Sequence, residues 1–173
     1  NQPEAIDGFL YPGYYLPEDR AKRITQLLKP KSNWDKAAVG KMIFDNTSSV
    51  APEVVKNLIS NVDQTSLSEN EKKALTILKD WKGSNNLNDV APTIYNKWIF
   101  NYLKNTFEDE LGAENFKQFL GIHIVKQLIA KQIANEKSLW WDNIKTKNAK
   151  ETRSQIISKS FAESIVALEK QLG

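Results

Sequence analysis

Between Pro92 and Leu103 the apolar side chains Ile94, Tyr95, Trp98, Ile99, Tyr102 and Leu103 fall at i, i+1, i+4, i+5, i+8 and i+9. That is the repeat of one face of an α-helix. A face this apolar has to be buried against another element, so the chain must fold by packing helices. The same repeat recurs along the sequence. It is carried by Ala21, Ile24, Leu27 and Leu28, by Val39, Met42 and Ile43, and by Val54, Val55, Leu58, Ile59 and Val62. Farther on it is carried by Ala74, Leu75, Leu78 and Trp81, and in the tail by Ile157, Phe161, Ile165, Leu168 and Leu172.

Local signals bound these segments. Pro17 or Glu18 opens the first helix and Pro30 stops it; the second starts near Asn33; Pro52 sits in the first turn of the third. Ser68 with Glu71 reads as a capping box for the fourth, which Gly83 closes. Glu114 to Asn135 is helical in pattern with a break expected near Gly121, and Asn148 with Glu151 is a plausible cap for the last helix. The proline- and glycine-punctuated run through Phe9-Leu10-Tyr11-Pro12-Gly13-Tyr14-Tyr15-Leu16 is extended or turn-rich. No segment alternates as a strand does. The reading is all-α: an irregular bundle of about seven helices, with residues 1–17 as an extended N-terminal segment and 18–173 as the helical domain.

A length of 173 residues with 40% hydrophobic content suits one globular domain. Lys and Arg number 24 against 21 Asp and Glu, and this near-balance gives no warrant for a nucleic-acid or membrane partner. The sequence has no cysteine, which excludes disulfides, thiolate metal sites and cysteine nucleophiles. No apolar run approaches the roughly 18 residues that span a bilayer, and the opening Asn1-Gln2-Pro3-Glu4 reads as a cut end.

The residues that usually carry chemistry are sparse. His123 is the single histidine, so neither a His-rich zinc site nor a complete Ser-His-Asp triad is expected; a partly buried helix position is its plainer reading. Asp7 with Asp19 could in principle share acid and base work, whereas Glu108, Asp109 and Glu110 read as solvated charge at a helix end. There is no glycine-rich phosphate cradle following a strand. Trp34, Trp81 and Trp98 read as core residues in helix patterns. Trp140 and Trp141 are adjacent, so both indoles cannot face one core, and one is left to cap a pocket or a contact.

Several local patterns, in order, resemble the penicillin acylase family of N-terminal-nucleophile hydrolases. Asn1-Gln2-Pro3 looks like the end of an Asn-Asn-x-Pro segment, and Arg20-Ala21-Lys22-Arg23-Ile24 like an Arg-Ala-x-Arg-Ile helix start. Met42, Asp45, Ser48 and Ala51 are similar to a Met-x-x-x-Asp-x-x-Ser-x-x-Ala stretch. Leu78 to Gly83 resembles Leu-x-x-Trp-Asp-Gly with Lys82 in place of the aspartate, and Ala91 to Trp98 resembles a tryptophan-bearing helix. Trp141, Asp142, Asn143, Thr146 and Glu151 resemble Trp-x-Asp-Asp-x-x-Thr-x-x-x-Glu, with Asn143 replacing the second aspartate.

The resemblance implies a periplasmic or secreted amidohydrolase made by self-cleavage of a precursor, in which a serine at a new N-terminus uses its own amino group as base. That serine is expected upstream, so this segment alone should be inactive. Its partners are then the alpha subunit and the N-terminal catalytic core of the beta subunit. By position, Asn1 is either the oxyanion-hole donor or the neighbour of that donor, and Arg20 is the arginine that orients nucleophile and substrate. An ordinary surface arginine reads the same way. Tyr14 and Tyr15 are candidate substrate contacts for an apolar or aromatic acyl group. The family's calcium ligand has no match between Phe9 and Leu16, so neither a metal nor a cofactor is expected. The rival from another class is a free-standing helical interaction or ligand-binding domain, with the Trp140-Trp141 region as its interface.

Overall fold

The computed structural model describes residues 6–9, 11–13, 15–30 and 32–172. Among them lie seven α-helices: α1 (Asp19–Leu28), α2 (Lys36–Ile43), α3 (Ala51–Ile59), α4 (Glu69–Asp80), α5 (Ala91–Leu120), α6 (Val125–Ala134) and α7 (Arg153–Leu172). One 3-10 turn, Leu139–Trp141, stands between α6 and α7. Residues 6–9, 11–13 and 15–18 precede them without helix, and the fold is the all-α bundle with an extended leading segment that the periodicity predicts.

The longest seam runs between α5 and α7. Trp98, fully buried, stacks on Phe161 with centroids 4.6 Å apart at 52°. Asn101 and Asn105 of α5 donate to Ser164 Oγ at 2.9 Å and to Ser160 Oγ at 3.0 Å. Each serine in turn donates to the carbonyl four residues back, Ile156 O and Ser160 O, both at 2.6 Å. Small hydroxyl residues inside the α7 stripe thus let the two helices approach and satisfy the polar groups that the approach buries. α3, α4 and α6 complete the core with Val55, Leu58, Leu75, Leu78 and Ile133.

The caps follow the sequence in part. Ser68 and Glu71 form the capping box of α4. The last helix is capped by a different pair: Thr152 N donates to Gln155 Oε1 at 2.8 Å, while Glu151 accepts from Asn143 N at 3.0 Å, so Asn148 and Glu151 are not its cap. Within α5 the helix is interrupted at Gly112, with φ 73° and ψ 159°, so a second helical stretch starts just before Glu114, as its pattern predicts. The break near Gly121 is present as a turn before α6, and His123 lies exposed in that turn, away from any partly buried helix position.

Three apolar expectations change, those for Trp34, Ile43 and Leu172, because periodicity cannot say how far a stripe stays covered, whereas the adjacent indoles of Trp140 and Trp141 divide as expected. Trp34 precedes α2 and is half-buried, outside any helix. Ile43, at the end of α2, is 71% exposed, as is Leu172 at the end of α7. Trp141 enters the core and donates its indole N–H to Asn135 O at 2.8 Å, whereas Trp140 is partly exposed and rests on Phe107 at 5.1 Å. Glu110 is not solvated charge either: it lies within α5, half-buried, with Oε2 enclosed and unpaired.

Candidate functional site

The resemblance concentrates expectations on the leading segment and α1. Asn1 and Tyr14 lie outside the described residues. Phe9 N donates to Ile6 O at 2.9 Å, closing a turn in which Asp7 and Gly8 have φ of 51° and 77°. Farther on, Gln127 of α6 donates Nε2 to Tyr15 O at 2.8 Å and so pins the segment across α6. Tyr15 is half-buried.

α1 uses its charged residues in three ways. Asp19 is no acid-base partner of Asp7: its Oδ1 accepts from Ser49 N at 2.6 Å and Val50 N at 3.2 Å, and its Oδ2 from Ser48 Oγ at 2.6 Å. Arg23 binds Asp45 through two bonds, Nε to Oδ1 at 2.8 Å and Nη2 to Oδ2 at 2.6 Å, the fork geometry that carboxylates favour. That guanidinium, together with the Thr47 N–H, holds the Asp45 carboxyl below its ordinary value. Arg20 is exposed and has no hydrogen-bond or ion-pair partner among the described residues. The two arginines of one sequence motif therefore differ: Arg23 is a structural clip and Arg20 projects with its donors open.

The other family-like stretches are clips as well. Ser48 Oγ accepts from Ala51 N at 2.9 Å at the start of α3, and Ser48 N donates to Gly83 O at 2.8 Å. Asn46 Nδ2 donates to Asn85 O at 3.0 Å while Asn85 Nδ2 donates to Asn46 O at 2.8 Å, joining the loops before α3 and after α4. Trp81 donates its indole N–H to Ser84 O at 2.7 Å. Near the tail, Glu151 N donates to Asp142 Oδ1 at 3.3 Å and Asn143 N to Glu151 Oε2 at 3.0 Å, so that loop closes with asparagine in place of the second aspartate.

These joints border a solvent-open cavity of about 580 Å³ between the Tyr15–Asp19 stretch, α3, α5 and α6. Trp81 and Tyr95 meet in its wall with centroids 5.2 Å apart at 45°. Burial, with a smaller contribution from the Asp19 charge, pushes the Tyr95 phenol up to about 12. Tyr15 and Asp19 line this cavity and Arg20 does not, so the catalytic candidate Arg20 and the substrate-contact candidate Tyr15 do not meet in it. Periodicity placed Tyr95 on a buried face but could not reveal that the face is only partly filled; Lys126 and Lys131, also in the wall, carried no sequence signal.

Among the described residues no group of three or more His, Asp or Glu side chains could hold a metal ion, and no helix is long and apolar enough to cross a membrane. A search of the curated proteins finds no match to this chain. The family model for penicillin amidase matches residues 1–173. The helical architecture fits that match, and of the motif residues Asp45, Ser48, Trp81, Asp142, Asn143 and Glu151 form joints of this architecture. The chain belongs to the penicillin amidase family.

Proposed function

We propose that this chain is the helical scaffold and part of the substrate cleft of a penicillin-acylase-type amidohydrolase. The parent enzyme cleaves linear amides, releasing an acyl side chain from an amine such as a β-lactam nucleus or homoserine lactone, with its N-terminal serine nucleophile outside residues 1–173. The observation that carries this reading is the state of α1 and α2. Neither helix has a buried residue, and Ile43 and Phe44 are 71% and 86% exposed, although Asp19 and Arg23 clip α1 firmly to the loop before α3. Short helices do not persist alone in water. An ordered apolar face of this kind suits contact with the remaining parts of an enzyme, namely the alpha subunit and the N-terminal core of the beta subunit.

In this reading residues 1–17 run beside the active site and 18–173 support them. Arg20 orients nucleophile and substrate through its open donors, Asn1 or the residue before it faces the oxyanion, and Tyr14 and Tyr15 contact the acyl group. A periplasmic or secreted location belongs to the same reading and is supported by the family resemblance alone. The test is hydrolysis of phenylacetyl, aliphatic acyl and acyl-homoserine-lactone amides by this chain and by a longer one that contains the serine. Activity only in the longer chain is expected; turnover by residues 1–173 alone overturns the reading. In the longer chain Arg20→Ala is expected to lower kcat/KM by about 100-fold. Replacement of Tyr14 and Tyr15 by alanine is expected to alter acyl preference.

A further inference from the structure

The cavity of about 580 Å³ falls within the volumes of small-molecule sites, and its wall is chemically lopsided. One side is apolar, made by Val54, Ile99 and Ile129 with the paired rings of Trp81 and Tyr95. The α6 side carries Lys126 and Lys131, whose ammonium groups make no hydrogen bond or ion pair among the described residues. The acids in the same wall are engaged elsewhere. Glu18 pairs with Lys22, and Asp19 accepts from Ser48, Ser49 and Val50. Lys22 neutralises Glu18, while Asp19, bonded to neutral donors, keeps its charge, so the two lysines outweigh the one remaining acid and the wall is net positive. The Tyr95 hydroxyl is a further donor without a partner among the described residues.

We infer that this cavity binds a small amphipathic monocarboxylate, its aromatic or aliphatic body on the Trp81–Tyr95 side and its carboxylate at Lys126 and Lys131. Such a ligand matches each part of the wall: ring faces and branched aliphatics take up the apolar body, and the two lysines, about 140° apart around α6, flank the Gln127–Ala130 face and reach the anion from its two sides with their long side chains. The Gln127–Tyr15 bond keeps the leading segment over the site, so the cavity is formed before any ligand arrives. The inference concerns this cavity alone and does not depend on the scaffold role.

The test is an NMR titration of the full 173-residue chain with 3-phenylpropionate and with its neutral amide. Saturable one-site binding of the acid is expected, with shifts at α5 and α6 and at least about tenfold weaker binding of the amide, a difference of about 1.4 kcal/mol. The Lys126→Gln, Lys131→Gln double variant changes only exposed side chains, so it keeps the fold; it is expected to bind the acid at least about tenfold more weakly and to lose most of the salt dependence. Ile99→Trp, which fills the cavity, is expected to abolish binding. Equal affinity for acid and amide, an unaffected lysine variant, shifts confined to another region, or no saturable binding by the unaltered chain each overturns the inference.

Discussion

Asp19 Oδ1 accepts the backbone N–H of Ser49 at 2.6 Å, so a carboxylate in the first turn of α1 acts as a cap for the turn that leads into α3. The N-cap residue of α3 itself, Val50, has no side chain able to do this. Capping from a distant segment gives the N-terminal donors of α3 a partner and fixes where α1 lies. Asp19→Ala is expected to destabilise the chain by about 1–2 kcal/mol, with Asp19→Asn intermediate, as read from urea denaturation followed by circular dichroism.

The Arg23–Asp45 pair makes a second prediction. Its side chains are 27% and 18% exposed, enough shelter for two short bonds to outweigh solvent competition. Asp45→Asn is expected to cost about 1–2 kcal/mol near neutral pH. The folded value of the Asp45 carboxyl lies below its ordinary 3.8, so its contribution is present above that pH and is lost as pH falls through the folded value. The cost of Asp45→Asn should therefore shrink in acid; an equal cost at about pH 2 and pH 7 would separate the bond from its charge.

Gly83 has φ 94°, and a Cβ there would stand 2.1 Å from Ser48 O. Backbone strain and a collision with backbone act together, and neither relaxes by a side-chain rotation. Gly83→Ala is expected to destabilise by roughly 2–4 kcal/mol, checked by the shift in the denaturation midpoint.

Glu110 supplies the clearest pH dependence. Burial first, then the neighbouring Asp109 and the Asp142 charge, raise its carboxyl from 4.5 to about 7. Asp109 also holds the loop after the 3-10 turn, accepting from Ile144 N at 2.8 Å. A carboxyl raised on folding keeps a proton that the unfolded chain releases. Stability from this group is therefore greatest below 4.5 and declines as pH rises through about 7. Glu110→Gln is expected to leave stability near pH 5 almost unchanged, raise it near pH 8 and flatten the slope between, as read from thermal melts across that range.

The helical fold was legible because its signals are local. The Pro92–Leu103 stripe, the Ser68–Glu71 box and the break at Gly121 each depend on residues within a few turns of one another, and all appear in the structure. The site was legible only as resemblance. Arg20 and Arg23 stand in one motif with the same chemistry, and what separates them is Asp45, which lies 22 residues beyond Arg23. Glu151 has the spacing of a capping-box residue, yet a bond from Asn143 recruits it to a loop.

The sequence by itself determined that this chain is a bundle of helices, where most of them begin and end, and which family its motifs resemble, since periodicity and capping act over one or two turns. Only the tertiary structure decided which stripes stay covered, which of two like arginines is tied down, and that Tyr95, Lys126 and Lys131 share one cavity. Those outcomes depend on contacts between segments far apart in the chain. The space left when helices of unequal length pack around α5 and α7 is a property of the packing, written in no single stretch of residues.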